Sequence, residues 1–192
     1  MKSRMAVALL LGGLVSAGAF AQTLDDLKND TKNTENVLTY GMGYHQQRYS
    51  TLNQINKRTV RRLVPVWNLS LNNDFGEQAQ PFVYDGVLYA TNVKRTVAID
   101  VATGRQLWQA VSDWDPATAR VICCGLSTRG VAVYNGKVFR TTLNAFVVAL
   151  DQKTGKEIWR QKAAEWKEGY SQTVAPLLAN GVLVTEIGRA HV

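Results

Sequence analysis

Between Tyr84 and Thr185 the chain alternates short apolar runs with two recurring kinds of turn. Tyr84-Asp85-Gly86-Val87-Leu88-Tyr89-Ala90-Thr91 opens a unit that closes on Ala98-Ile99-Asp100-Val101-Ala102-Thr103-Gly104-Arg105-Gln106-Leu107-Trp108. Tyr134-Asn135-Gly136-Lys137-Val138-Phe139-Arg140-Thr141 opens a second, closing on Ala149-Leu150-Asp151-Gln152-Lys153-Thr154-Gly155-Lys156-Glu157-Ile158-Trp159, and a third begins at Ala179-Asn180-Gly181-Val182-Leu183-Val184-Thr185. In the first two units the hairpin glycines Gly86 and Gly136 lie fifty residues apart and Trp108 and Trp159 fifty-one. Each unit predicts a hairpin turn, a strand, a variable link, a strand, an Asp-x-x-Thr-Gly turn, and a strand carrying Trp. Glycine serves where a turn needs positive φ; the Asp and Thr side chains accept hydrogen bonds from turn amides. The closing Trp is a large apolar plate suited to packing between units. Short strands repeating at a period near fifty predict the blades of a β-propeller. A two-sheet sandwich would not produce near-identical turns at a fixed spacing.

Ahead of the repeat the pattern is weaker. Residues 22–48 are polar and turn-rich, with Asn29, Asn33, Asn36 and a Gly41-Met42-Gly43 turn signal, predicting a short helix at Leu24 to Lys28 followed by loop. Loop and short helix then lead into a predicted strand carrying Val66, Trp67 and Leu69. His45 has no second ligand nearby in sequence and reads as structural. The first 21 residues have the form of a secretory signal: basic Lys2 and Arg4, an apolar stretch from Met5 to Ala17, and Ala19-Phe20-Ala21 as a small-x-small cleavage site. The apolar stretch is shorter than the roughly 20 residues of a spanning helix. Cleavage would leave Gln22 first and place the mature chain in an exported compartment, expected to be a bacterial periplasm.

Charge adds little to this. The formal net charge is +7; without Lys2 and Arg4, which would leave with the signal, and Arg189, which is expected to be non-native, 19 basic residues stand against 15 acidic ones. They are scattered, with Lys57, Arg58, Arg61 and Arg62 as the only cluster, which reads as a solvated face. A nucleic-acid partner would want a basic stripe with interleaved aromatics, so none is expected.

The most singular stretch is Ile122-Cys123-Cys124-Gly125-Leu126-Ser127-Thr128-Arg129-Gly130, which holds the only two cysteines. Neighbouring Cα atoms sit about 3.8 Å apart, below the roughly 4.4 to 6.8 Å of an unstrained disulfide. A bond between them would be strained and easily reduced; two reduced, buried thiols are the other reading. An exported compartment favours the bond.

With the repeat on either side, the chain resembles the quinoprotein alcohol dehydrogenases, eight-bladed β-propellers that use pyrroloquinoline quinone (PQQ). The units at 98–108 and 149–159 look like that family's tryptophan-docking motifs, and Cys123-Cys124 followed five residues later by Arg129 is its most specific mark. The resemblance covers residues 30–185 and implies an all-β chain holding about the first two to three of eight blades. It implies a vicinal disulfide Cys123–Cys124 against one face of the quinone, with Arg129 at its polar edge. Thr173, in Gly169-Tyr170-Ser171-Gln172-Thr173-Val174-Ala175-Pro176, matches the family's cofactor-contacting threonine. A glutamate before the first Asp-Gly turn is also implied; the spacing lands on Gln78, with Glu77 one residue earlier. Alternation along a strand turns only one of the two toward the cofactor. Gly125 and Thr128 stand where relatives often carry Asp and Asn.

The same resemblance implies a Ca²⁺ or lanthanide ion in the full-length protein, a small alcohol as substrate, a cytochrome c as electron acceptor and a homodimer as one possible assembly. The competing function class is a non-enzymatic propeller that scaffolds envelope proteins, which explains the Trp repeats but not the Cys pair or Arg129. The metal ligands and the family's catalytic aspartate belong to later blades, so no catalytic or metal-ligating residue is assigned here. The ending Glu186-Ile187-Gly188-Arg189-Ala190-His191-Val192 breaks the family pattern. It back-translates to the body of a sequencing-library adapter, so 186–192 is expected to be a non-native read-through tail after Thr185.

Overall fold

The computed structural model describes residues 22–73, 75–122 and 125–189. The expected signal, Cys123, Cys124 and residues 190–192 therefore lie outside the described residues.

The predicted helix forms as α1 (Leu24–Lys28). A reciprocal capping box fixes its start: Asp26 N donates to Thr23 Oγ1 at 3.2 Å, and Thr23 N donates to Asp26 Oδ2 at 2.8 Å. Its Leu27 joins the core. The following loop is tied down by buried Asp30, whose carboxylate accepts from Leu38 N and Thr39 Oγ1. Val37 then bridges to Val83 through two backbone hydrogen bonds of 2.9 Å.

Two complete four-stranded antiparallel sheets follow. The first contains β1 (Phe82–Tyr84), β2 (Val87–Thr91), β3 (Arg95–Asp100) and β4 (Gln106–Val111). The second contains β5 (Ala132–Tyr134), β6 (Lys137–Thr141), β7 (Phe146–Asp151) and β8 (Glu157–Lys162). In both, strand order follows chain order, which is the meander of a propeller blade. The repeat is geometric in detail. Asp85-Gly86, Asn135-Gly136 and Asn180-Gly181 are all two-residue turns with φ near +48° and +70 to +77°, the positive pair of a type I′ hairpin. The register shifts at Ala98/Ile99 in the first sheet and at Ala149/Leu150 in the second, the same place in each.

A third unit is begun by the hairpin β10 (Leu177–Ala179) and β11 (Val182–Val184), with β10 packing beside β5. Ahead of it, β9 (Tyr170–Ser171) pairs with β12 (Gly188–Arg189), so part of the expected tail sits on the chain as a short strand. This is a partial β-propeller: two blades and the start of a third.

The core lies between the sheets, where Ala98, Trp108, Val133, Val138, Val148 and Leu150 are buried together. Trp108 of the first blade lies over the Asp-x-x-Thr-Gly turn of the second, and its Nε1 donates to Gln152 O at 2.9 Å. A Cβ on Gly155, whose φ is +70°, would fall 2.5 Å from the Trp108 ring. Only glycine allows that approach and that backbone. Trp67 does the same to the first blade, donating to Val101 O at 2.8 Å and lying against Gly104. The turns are locked by their aspartates: Asp100 Oδ1 accepts from Thr103 N and Oγ1, and Asp151 Oδ1 accepts from Thr154 N and Oγ1.

One expectation fails. The segment carrying Val66, Trp67 and Leu69 forms no strand; residues 63–73 run without a ladder, and Val66 is 83% exposed. Trp67 occupies the place of Trp108 and Trp159, so this segment corresponds to the outermost strand of a blade. No inner strand stands beside it among the described residues, and an outer strand cannot make its hydrogen bonds alone. The basic residues Lys57, Arg58, Arg61 and Arg62 lie on the same stretch and are exposed.

Candidate functional site

The strands β1, β5 and β10 are each preceded by an extended lead-in, and these three segments are stitched side by side. Gln80 N donates to Arg129 O at 3.0 Å, and Arg129 N donates to Thr173 O at 2.9 Å. Gly130 makes the close approach possible: a Cβ there would stand 3.2 Å from Ala175 Cβ and 3.3 Å from Gln80 O. Thr141 Oγ1 ties β6 to the third lead-in through Val174 O at 2.7 Å. Residues far apart in sequence thus form one row at the end of the blades opposite the hairpin turns.

Arg129 and Thr173, both expected at the site, meet directly. Arg129 Nη1 donates to Thr173 Oγ1 at 2.5 Å. Both side chains are half-buried, and the remaining guanidinium N–H groups bond to no other described residue. Cys123 and Cys124 precede this row in sequence but lie outside the described residues.

Glu77 and Gln78 are both exposed. Glu77 Oε1 accepts from Asn92 Nδ2 at 3.2 Å, which commits its carboxylate to the turn between β2 and β3. Asn92 is a hub: its Oδ1 accepts from Lys94 N and Arg95 N, and its Nδ2 also donates to Leu71 O. Its carbonyl accepts from Arg140 Nη2 of the second blade at 3.2 Å. Arg140 is 3% exposed and also donates from Nη1 to Thr96 Oγ1 at 2.9 Å. Burial, with Arg160 nearby, pulls its guanidinium down to about 10, still charged at neutral pH. Gln80 clamps the N-terminal loop to the row, accepting from Gly41 N at 2.8 Å and donating to Thr39 O at 3.1 Å.

Sequence reasoning missed Asn92, Gln80 and Arg140. An arginine inside the apolar run Val138-Phe139-Arg140-Thr141 was the available signal for the last; the other two bonds join positions no spacing rule connects. Two more polar residues of the row are buried: Thr128 Oγ1 and both amide atoms of Gln172 have no partner among the described residues. Among the described residues no three His, Cys, Asp or Glu side chains converge as a metal site. No helix of them is long and apolar enough to cross a membrane.

A cleft of about 600 Å³ lies elsewhere, at the hairpin end between Asp85, Trp108 and Gln152. Its lining residues are largely those that dock one blade on the next, and it holds none of Glu77, Gln78, Arg129 or Thr173. Arg129 and Thr173, with their free donors, are the better candidate for a polar ligand.

Comparison with known proteins shows the family. Residues 38–158 match the family described as PQQ: glucose/ethanol/alcohol dehydrogenase, β-propeller domain. The quinoprotein alcohol dehydrogenase PedH of Pseudomonas putida is 41% identical over 189 residues, covering 95% of this chain and 31% of that protein. The quinone-dependent 1-butanol dehydrogenase of Thauera butanivorans is 44% identical over 168 residues, 86% of this chain and 27% of that one. Among solved structures, a europium-containing methanol dehydrogenase superposes with a TM-score of 0.80 at 31% identity, over 86% of this chain and 29% of that chain. The quinohemoprotein alcohol dehydrogenase of Comamonas testosteroni gives 0.81 at 34%, over 86% and 25%. The chain thus spans a third or less of the length of these relatives.

Proposed function

This chain belongs to the PQQ β-propeller family of glucose, ethanol and alcohol dehydrogenases, and we propose that it is the N-terminal part of an exported enzyme that oxidises an alcohol to an aldehyde. In this reading residues 1–21 are removed in the periplasm, the cofactors are PQQ and a Ca²⁺ or lanthanide ion, and a cytochrome c takes the electrons. The parent protein is the enzyme; these blades alone bind one side of the cofactor and do not turn over.

The observation that carries the reading is the Arg129–Thr173 pair at the junction of two blade lead-ins. A flat tricarboxylate quinone needs cationic and hydroxyl donors at its rim. A planar guanidinium with unspent N–H groups suits a carboxylate or carbonyl oxygen. Thr173 Oγ1 accepts from Arg129, which leaves its own O–H to donate. The residues present therefore fit the group. When bound, the quinone and its metal supply the two-electron acceptor and the Lewis acid.

The chain's own work is binding and orientation. Arg129 compensates negative charge at the ligand's edge, and the Gln80 and Thr173 backbone bonds hold it in register. Because Asn92 engages Glu77, alternation gives Gln78 the place beside the ligand, as a neutral hydrogen-bonding partner. By the resemblance, Cys123 and Cys124 are disulfide-bonded and supply the stacking wall.

The test is to express the complete gene, reconstitute its product with PQQ and either Ca²⁺ or a lanthanide, and assay dye-linked oxidation of short alcohols. Turnover dependent on both quinone and metal is expected. Quinone-independent behaviour, with no alcohol oxidised under either metal, would overturn the proposal.

A further inference from the structure

Arg140 is a buried cation that bonds no acid among the described residues. Its side chain reaches from β6 across to the first blade and gives Nη1 and Nη2 to a hydroxyl and a carbonyl, both neutral. Its Nε–H has no partner among the described residues. Taking a charge out of water costs several kcal/mol unless an opposite charge compensates it, and hydrogen bonds to neutral groups answer only part of that cost.

Arg140 borders a small cavity, about 20 Å³, between the two blades. That is room for a single atom-sized guest and no more. Val148 and Leu150 form apolar wall, and Ser112 at the end of the first blade lines it too; Ser112 Oγ is buried and without a partner. Arg160 of β8 is a second cation on the lining. Glu157 also lines it, but its two carboxylate oxygens are taken by Arg160 Nε and Nη2 at 2.9 to 3.3 Å. Asp113 faces Arg160 as well, at 3.5 Å. Both acids thus bond Arg160, and neither bonds Arg140 among the described residues. The hydroxyl of Thr142 is already engaged with Phe146.

We propose that this interblade cavity is a monatomic anion site, filled by chloride, with Arg140 Nε and Ser112 Oγ as donors. A halide puts an anion beside the Arg140 guanidinium, accepts from both orphaned groups and fits the volume. Phosphate, sulfate and carboxylates are too large. Because both walls belong to the two complete blades, the site is built within this chain and is independent of the quinone site. Its role is to pin the first blade to the second, just behind the Asn92 turn that holds Glu77.

The experiment uses the full-length protein. Crystals soaked in sodium bromide should show an anomalous peak in the cavity, within hydrogen-bonding distance of Arg140 Nε and Ser112 Oγ. Replacing gluconate by chloride at constant ionic strength should raise Tm by a few degrees. Arg140→Met should abolish that response. Should Arg140→Met fail to fold, Ser112→Ala, a milder change, should weaken the response while leaving the blades intact. A water in the cavity with no halide response overturns the proposal, and so does a bromide peak without any change in Tm, which marks an adventitious ion only.

Discussion

Arg129 is tied to Thr173 twice, by its backbone N–H to the Thr173 carbonyl at 2.9 Å and by its guanidinium to the Thr173 hydroxyl. The pair spans two blades, so the hydroxyl that orients the guanidinium comes from a residue forty-four positions away. Loss of either partner should be felt by the other. In the full-length protein Arg129→Leu should weaken PQQ binding at least tenfold. Thr173→Val, which keeps shape and removes the hydroxyl, should weaken it less. The two should couple by about 0.5 to 3 kcal/mol in a double-mutant cycle read by quinone titration. Additive effects would separate Thr173 from the site.

Asn92 predicts a different phenotype, because it holds Glu77 without lying in the lead-in row. It is 2% exposed and its side chain serves four backbone or side-chain groups. Asn92→Ala should destabilise the full-length protein by about 1 to 3 kcal/mol through unpaired buried groups. Glu77→Gln, which keeps a hydrogen-bonding side chain against Asn92, should leave quinone affinity close to wild type. Gln78→Ala should lower it. A reversed order, with Glu77→Gln the damaging change, would show that Glu77 is the residue beside the cofactor.

How much of this the sequence disclosed follows from which contacts are local. The hairpins at Asp85, Asn135 and Asn180 and the helix at Leu24 are set by residues within a few positions, and each formed as expected. The docking tryptophans were legible because the motif repeats. The strand expected around Val66 was not, because a strand is a relation between two segments and no partner stands beside this one among the described residues. Arg129 and Thr173 were found through a family resemblance. Asn92, Gln80 and Arg140 were not, since their bonds depend on where the propeller brings distant lead-ins together.

The docking turns should be sensitive to acid. Hydrogen bonds from Thr103 hold the Asp100 carboxyl below its usual range, and those from Thr154 do the same for Asp151. A carboxyl lowered by folding stabilises the fold above its ordinary pKa. That contribution is lost as pH falls through the still lower folded value. Stability of the full-length protein should therefore be flat for these groups near neutrality and fall at the acid edge of the carboxylate range. Asp151→Asn should reduce the acid-dependent slope, measured by urea unfolding at successive pH values. An unchanged slope would mean that the turn is no tighter in the folded state than in the unfolded chain.

Gly155 and Trp108 form a tight approach between blades, and Gly155→Ala should be costly. The added methyl would stand 2.5 Å from the indole at a φ of +70°, so both steric overlap and left-handed backbone count against it. About 1 to 3 kcal/mol of stability should be lost, read as a lower midpoint in urea. Gly86→Ala offers the contrast, since it has a similar φ of +71° and nothing within 4 Å; its cost is that of the backbone alone. Equal losses at the two glycines would remove the steric part of the argument.

Trp159 carries the docking logic one step further. Trp67 and Trp108 each give their indole N–H to a carbonyl of the following blade's turn, while Trp159 has no such acceptor among the described residues and is 37% exposed against 8% for Trp108. Its ring already packs at a tilt against Phe139 at 6.0 Å, as Trp108 does against Tyr89 at the same distance, so it is posed but uncovered. An indole of this kind buries roughly 150 to 250 Å² when covered, and at about 25 cal/mol per Å² that is a large part of what joins one blade to the next. Lengthening the chain by the next blade should therefore shield Trp159. With the other four tryptophans replaced by Phe, its emission should shift to the blue and acrylamide quenching should fall between the shorter and longer chains. Emission and quenching that stay the same would show that docking stops at the second blade.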